Sequence, residues 1–253
     1  EYMSKTSDKN DLAKADIDND TFKLYKEDTH FNVGFMSYYS RVEVYLPKSF
    51  SKNLAVETTS GSIKIDNDLT LVNCDLSSSS GSIKLNSLDT DKVSLKTTSG
   101  SINASDAINS KDAKFESSSG SINLGEADTD KITAETTSGS IRINKVSGIQ
   151  NFSSSSGSIN VDDAKKGGSY KSTSGSVRVN FSDISDDITC EASSGSVRID
   201  VPNEKSFNFK GRTSSGSIHT FFENFTSSND KKERTANVGE NPEIDINITT
   251  TSG

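Results

Sequence analysis

Residues 56–65 read Val-Glu-Thr-Thr-Ser-Gly-Ser-Ile-Lys-Ile, and variants of this stretch return along most of the chain. The triplet Ser-Gly-Ser occurs nine times, and successive repeat glycines are 18 to 21 residues apart. The repeat glycines are Gly61, Gly81, Gly100, Gly120, Gly139, Gly157, Gly175, Gly195 and Gly216. A regular period of this length indicates a stacked repeat architecture. Such proteins present one surface many times over, which favours binding or scaffolding over catalysis.

Hydrophobic residues alternate with polar ones on both sides of each glycine, which predicts β-strands. The position two residues after the glycine holds Ile or Val in every copy. The hydrophobic positions lie an odd number of residues before the glycine and an even number after it. One continuous strand would send one of these sets to the wrong face, so the chain must turn at Ser-Gly. We expect the glycine to adopt a positive φ there.

These patterns predict an all-β parallel β-solenoid in which each repeat of about 20 residues forms one coil. Two alternatives remain open at this point. A coil of about 39 residues would explain why Asp89–Lys92 recurs as Asp128–Lys131. Stacked antiparallel hairpins would place Glu57 opposite Lys64, a favourable cross-strand pair.

The chain divides by pattern into three parts. We predict an N-terminal extension and cap over residues 1–41, with aromatic residues concentrated in 21–40. The Ser-Gly-Ser solenoid covers residues 42–220. Residues 221–253 form a C-terminal closing element that ends within a further copy of the motif, as expected of a piece excised from a longer protein.

Composition excludes several classes of function. The net charge is −8 and the pI about 4.9, so the chain is a poor candidate for binding nucleic acid. Cys74 and Cys190 occupy inward positions about six repeats apart, which is too far for a disulfide. No apolar run is long enough to span a bilayer, and no signal peptide is evident.

Residues that carry enzyme or metal chemistry are scarce. The two histidines, His30 and His219, are isolated from other ligand types. The segment Asp16–Asp20 begins like a calcium loop, but Phe22 stands near the position that requires glycine. No serine has the context of a nucleophile elbow. We therefore predict no catalytic residue, no cofactor and no metal.

One column of polar residues is a candidate ligand-binding surface. The third residue after each glycine should point outward, in a row spaced about 4.8 Å apart. This cation–amide column consists of Lys64, Lys84, Asn103, Asn123, Arg142, Asn160, Arg178, Arg198 and His219. A stripe of cations and amides on an acidic body suits a linear polyanion. Glutamates four residues before the glycine would weaken it if they lie alongside.

The stretch Val42–Ile65, with its strand, proline and first repeat, resembles a family of adhesin-like repeat domains on bacterial envelope proteins. The closing stretch Gly239–Gly253 is similar to theirs as well. The resemblance implies a parallel β-helix fold and display outside the cell membrane, with no catalytic residues to carry over. This chain has Ser after the glycine where many members have Asp, so a role tied to that acid does not transfer.

The functional expectation is a non-enzymatic, cell-surface, adhesin-like domain that binds or senses something in the envelope. The expected partners are an anionic cell-wall polymer, lipid headgroups or an envelope protein, and not nucleic acid. End-to-end or edge self-association is a further expectation. The alternatives are a passive structural spacer or assembly rod and, less favoured, a carbohydrate-active enzyme. We expect an extracellular location, with a membrane or wall anchor outside this sequence.

Overall fold

The computed structural model describes residues 2–6, 13–18, 21–25, 40–222, 225–227 and 232–252. Every element in these segments is a β-strand, and they contain no helix that could cross a membrane. The chain forms two compact units, residues 1–50 and 51–253.

The first unit contains two antiparallel strand pairs. Strand β1 (Tyr2–Thr6) pairs with β4 (Ser40–Val44), and β2 (Lys14–Asp18) pairs with β3 (Thr21–Tyr25). Most of the predicted aromatic cap, together with His30, falls on residues 26–39, which lie outside the described residues. The cap therefore stays a prediction.

The second unit contains the repeats. Its strands, in chain order, are β5 (Leu54–Thr58), β6 (Ile63–Ile65), β7 (Leu69–Ser78), β8 (Ile83–Leu85), β9 (Leu88–Thr97), β10 (Ile102–Ser117), β11 (Ile122–Thr136), β12 (Ile141–Ser154), β13 (Ile159–Ala164), β14 (Gly168–Ser172), β15 (Val177–Phe181), β16 (Ile188–Ala192), β17 (Val197–Asp200), β18 (Phe207–Ser215), β19 (Phe225–Ser227), β20 (Glu233–Val238) and β21 (Ile244–Ser252).

Each repeat forms one coil, because equivalent residues of successive copies pair in parallel. Ile83 lies beside Ile63 in one neighbouring coil and beside Ile102 in the other. The Ile63 N–H donates to the Ser82 carbonyl at 3.0 Å, and the equivalent bond recurs in the following coils up to Val177, whose N–H donates to the Ser196 carbonyl. The parallel β-solenoid with coils of about 20 residues is confirmed. The 39-residue coil and the antiparallel hairpins are wrong, since Lys64 pairs with Lys84 rather than Glu57.

The core is a thin column of aliphatic and aromatic side chains. Ile83, Ile102, Ile122, Ile141 and Ile159, each two residues after a repeat glycine, have no exposed surface. The residues five before the glycine are buried too, from Leu76 to Cys190. Both sets point inward, so the predicted turn at Ser-Gly is confirmed. Cys74 and Cys190 are buried free thiols, as expected.

The reason for the repeat glycines differs from the expected one. Among the nine, only Gly216 has a positive φ, at 145°. At the other eight the expectation was wrong. From the second coil onward, close stacking explains the glycine: a Cβ added to Gly81 would lie 2.0 Å from the Gly61 carbonyl oxygen. At Gly120 the corresponding distance, to the oxygen of Gly100, is 1.9 Å. Glycine is required because the preceding coil's backbone occupies the space of a side chain.

The order of the coils changes at the C-terminal end. Strand β21 pairs in parallel with β16 on one side and with β18 on the other. It therefore separates the eighth copy from the ninth, which are adjacent in sequence. Strand β18 also pairs antiparallel with β20, and β20 with β19. As a result, Ile218 and the rest of the ninth post-glycine segment lie outside any strand.

Candidate ligand-binding face

The strands that follow the repeat glycines form one side of the solenoid, which we name the post-glycine face. Three outward columns cover it, at the first, third and fifth positions after each glycine. The first column is serine in all eight stacked copies. The third position is the cation–amide column. The fifth holds Asp66, Asn86, Ser105, Gly125, Asn144, Asp162, Asn180 and Asp200.

The structure brings the first eight members of the cation–amide column together. Parallel pairing places Lys64 beside Lys84, Asn103 beside Asn123 and Arg178 beside Arg198. The cations are exposed and the asparagines are half-buried. The Asn123 Nδ2 donates to Asn103 Oδ1 at 2.9 Å, which joins two coils through their side chains. These residues form a continuous ladder, as the sequence predicted.

His219, the ninth predicted member, does not extend this ladder. It is exposed but lies outside any strand, because β21 separates its copy from the eighth coil. Its Nε2 is 2.9 Å from the Ser217 hydroxyl, within its own segment. The column therefore ends at Arg198.

Charge is distributed unevenly along the column. At its two ends the cations are neutralised, since Lys64 forms an ion pair with Asp66 and Arg198 with Asp200 at 3.1 Å. Among the ion pairs of the described residues, none involves the three cations between them, which are Lys84, Arg142 and Arg178. Over the six coils from Gly81 to Gly175, the three outward columns contain a single carboxylate, Asp162. The middle of the face is thus cationic on an acidic protein.

The glutamates four residues before a repeat glycine, which are Glu57, Glu116, Glu135 and Glu191, do not neutralise this column. They lie on the strands before the turn, whose outward side we name the pre-glycine face. There Lys171 pairs with Glu191 at 2.8 Å, and Lys114 pairs with Glu116 at 2.9 Å. The hydrogen bond to Glu191 raises the pKa of Lys171 above its ordinary value. Glu116 and Glu191 are therefore matched to lysines of their own face.

A buried hydroxyl column holds the turn between the two faces. In the six coils from Gly81 to Gly175, the residue three before the glycine bonds two backbone groups: Ser117 Oγ accepts from the Gly120 N–H at 2.9 Å and donates to the Gly100 carbonyl at 3.0 Å. Thr97 and Thr136 do the same in their coils. This role was not predicted from the sequence. The signal was available, because position three shares its inward parity with the hydrophobic position five.

The first outward column supports the face in a similar way. From the second coil to the seventh, the backbone N–H of the serine after the glycine donates to the hydroxyl oxygen of the equivalent serine in the preceding coil. Ser82 bonds Ser62 in this way at 3.2 Å, and Ser121 bonds Ser101 at the same distance. These bonds fix the register next to the cation–amide column. A ladder held by backbone and side-chain bonds in each coil is preorganised for a ligand.

The third side of the solenoid, which includes residues 89–91, 109–111 and 128–130, is a weaker candidate for ligand binding. Shallow grooves there are lined by Asp89, Asp91, Asp130, Lys111 and neighbouring residues. Lys111 pairs with Asp91 at 2.7 Å, and that hydrogen bond raises the pKa of its ammonium. Lys111 is thus neutralised by Asp91, and carboxylates outnumber cations in these grooves. Across the described parts of the chain, no three residues of metal-ligating type lie close enough to hold an ion.

The buried polar and thiol groups are structural. Burial raises the pKa of Cys74 to about 12 and also raises that of Cys190, so neither is a thiolate at neutral pH. The Tyr170 hydroxyl donates to Gln150 Oε1 at 2.6 Å, and Gln150 in turn donates to the Lys165 carbonyl. This network satisfies its own members within the core.

Comparison with known proteins agrees with this architecture. The chain belongs to the Toastrack DUF4097 family, whose model matches residues 1–162 and again residues 106–253. No curated protein and no solved structure matches the chain. The family match and the coiled structure together define a β-helix repeat domain, and they do not support the name adhesin. A β-solenoid of this kind is not a typical enzyme fold.

Proposed function

We propose that the post-glycine face binds a linear anionic polymer that lies along the solenoid axis, and that the domain is not an enzyme. The carrying observation is the charge pattern of this face. Between Lys84 and Arg178 it presents three cations and one carboxylate. Arginine and lysine are the side chains that recognise phosphate and carboxylate oxygens, and amides add neutral donors between them.

The geometry suits a polymer better than a small ligand. The face is a row of repeated positions about 4.8 Å apart, with no deep pocket to enclose a compact molecule. A stacked array can contact an extended chain at several equivalent points, so weak contacts add through effective concentration. A phosphodiester polymer and a phospholipid surface share the chemistry that this face recognises.

A triple variant tests the role of the three unpaired cations. In Lys84→Asn, Arg142→Asn, Arg178→Asn, each position receives the residue that the same column has in other coils. We expect the affinity for poly(glycerol phosphate) to fall at least about tenfold, because three charged contacts are lost. The measurement is isothermal titration calorimetry at two salt concentrations, since wild-type binding should weaken as salt rises.

The matched control is Lys96→Ser, Lys114→Ser, Lys171→Ser. It removes the same charge from the pre-glycine face, where serine also occurs naturally in these columns. We expect it to bind like the wild type. A parallel titration with phosphatidylcholine vesicles containing phosphatidylglycerol separates a polymer ligand from a lipid surface. Equal loss in both variants, or no binding to either probe, would contradict the proposal and leave the passive spacer.

Location is part of the same proposal. Display outside the cell membrane follows from the resemblance of residues 42–65 to envelope repeat domains. Protease accessibility of the domain in intact cells is the direct test. A domain that is cut only after lysis would exclude surface display.

A further inference from the structure

Strand β17 is the last strand of the post-glycine stack. Seven parallel interfaces join the eight strands of that stack, and the last of them joins β15 to β17. Among the strand registers of the described segments, β17 pairs with β15 alone. On the pre-glycine side the stack continues past the same coil, through β21 and then β18. The post-glycine stack thus stops two strands earlier than the pre-glycine stack.

The backbone groups at this edge can be assigned from the preceding interface. The Val177 N–H donates to the Ser196 carbonyl at 3.0 Å, toward β17. In a parallel ladder, equivalent residues bond in the same direction from coil to coil. Val197 and Ile199 therefore direct their N–H and C=O groups beyond β17, to the side that no strand occupies. Their side chains are half-buried, whereas Val177 and Val179 are 1% and 0% exposed.

We propose that the open edge of β17 is a strand-addition site for an extended polypeptide segment. The segment would carry a small polar residue followed by β-branched residues at alternate positions, as in Ser62-Ile63-Lys64-Ile65. Strand addition gives affinity through main-chain hydrogen bonds and selects side chains by their alternation. The expected occupant is a strand of the repeat type, because the edge of β17 presents the same backbone groups that the seven existing interfaces use. The proposal is independent of the polymer-binding function.

The C-terminal strand provides a way to deliver such a segment. The Ser252 N–H donates to the Ser193 carbonyl at 2.9 Å, as Ser194 does to Thr173 in the coil before. Strand β21 therefore follows the coil register up to the turn, so residues joined to Gly253 would start beside β17. Linkage within one chain replaces weak bimolecular binding by a high effective concentration.

The test compares two C-terminal extensions of the full chain with the same composition. One is Ser-Ile-Lys-Ile, and the other is Ile-Ser-Ile-Lys, which shifts every side chain to the opposite face. Amide hydrogen exchange by NMR reports on Val197 and Ile199. With the first extension we expect the exchange of both amides to slow at least about tenfold, because they gain acceptors. With the second we expect exchange as in the unextended chain.

A substitution at the edge supplies an internal check. Val197→Pro removes the N–H that points away from β15 and should abolish the protection of Ile199 by the first extension. Exchange at Val177 shows whether the β15–β17 ladder remains intact in that variant. Equal protection by both extensions, or by neither, would overturn the proposal. So would protected edge amides in an unextended chain that light scattering shows to be a dimer, because a second copy would then occupy the edge.

Discussion

Gly120 shows how a single residue type sets the spacing of the coils. Its backbone lies so close to the Gly100 carbonyl that an added Cβ would stand 1.9 Å from the oxygen. The obstacle is backbone, which cannot rotate away as a side chain can. The recurrence of glycine was evident in the sequence, but its cause was not. A close approach between neighbouring coils is a property of the stack, and one copy read alone suggests only a turn.

Alanine at Gly120 should therefore be far more damaging than alanine at Gly61. Gly61 belongs to the first coil, where an added Cβ would meet only the Thr58 side chain, at 3.0 Å. We expect Gly120→Ala to lower the free energy of unfolding by about 3 kcal/mol, and Gly61→Ala by about 1 kcal/mol or less. Urea denaturation of both variants measures the difference. Similar losses would show that local conformation, and not coil spacing, requires the glycine.

The strands show which features alternation can predict. The hydrophobic columns, the turn at Ser-Gly and the outward cations all follow from period-two patterns within one repeat. The same parity rule gives Thr97 and Ser117 an inward direction, although this was not recognised from the sequence. Their bonds to glycine backbone in two successive coils required coordinates, because the acceptor lies in another repeat.

The two serines at the end of β10 and just beyond it provide a matched test of this element. Ser117 is buried and bonds two backbone groups, whereas Ser118 is exposed at the corner. We expect Ser117→Ala to destabilise the protein by about 2 kcal/mol, because a buried N–H and a buried carbonyl lose their partner. Ser118→Ala should change stability by less than about 0.5 kcal/mol. Thermal and urea unfolding measure both, and equal effects would contradict the assigned role.

At the scale of the molecule, the sequence did not predict that β21 inserts between β16 and β18. Residues 250–252 repeat a motif found in other copies, and their own sequence does not indicate which coil they join. Chain order predicted that the ninth copy would follow the eighth, and it placed His219 at the end of the cation–amide column. Strands β16 and β21 are far apart in sequence, so their pairing depends on how the C-terminal end packs as a whole. It ends the candidate face at Arg198 and leaves β17 open.

The continuity of the remaining face sets the length of ligand that it can contact. Five coil steps separate Lys84 from Arg178, a span of about 24 Å at about 4.8 Å per step. The most direct measurement titrates the protein with glycerol phosphate oligomers of increasing length. We expect affinity to rise until an extended oligomer reaches about 24 Å and then to level off, with this rise absent in the triple asparagine variant. If affinity is the same for the shortest and longest oligomers, or if the rise persists in the variant, an extended polymer does not bind along the post-glycine face.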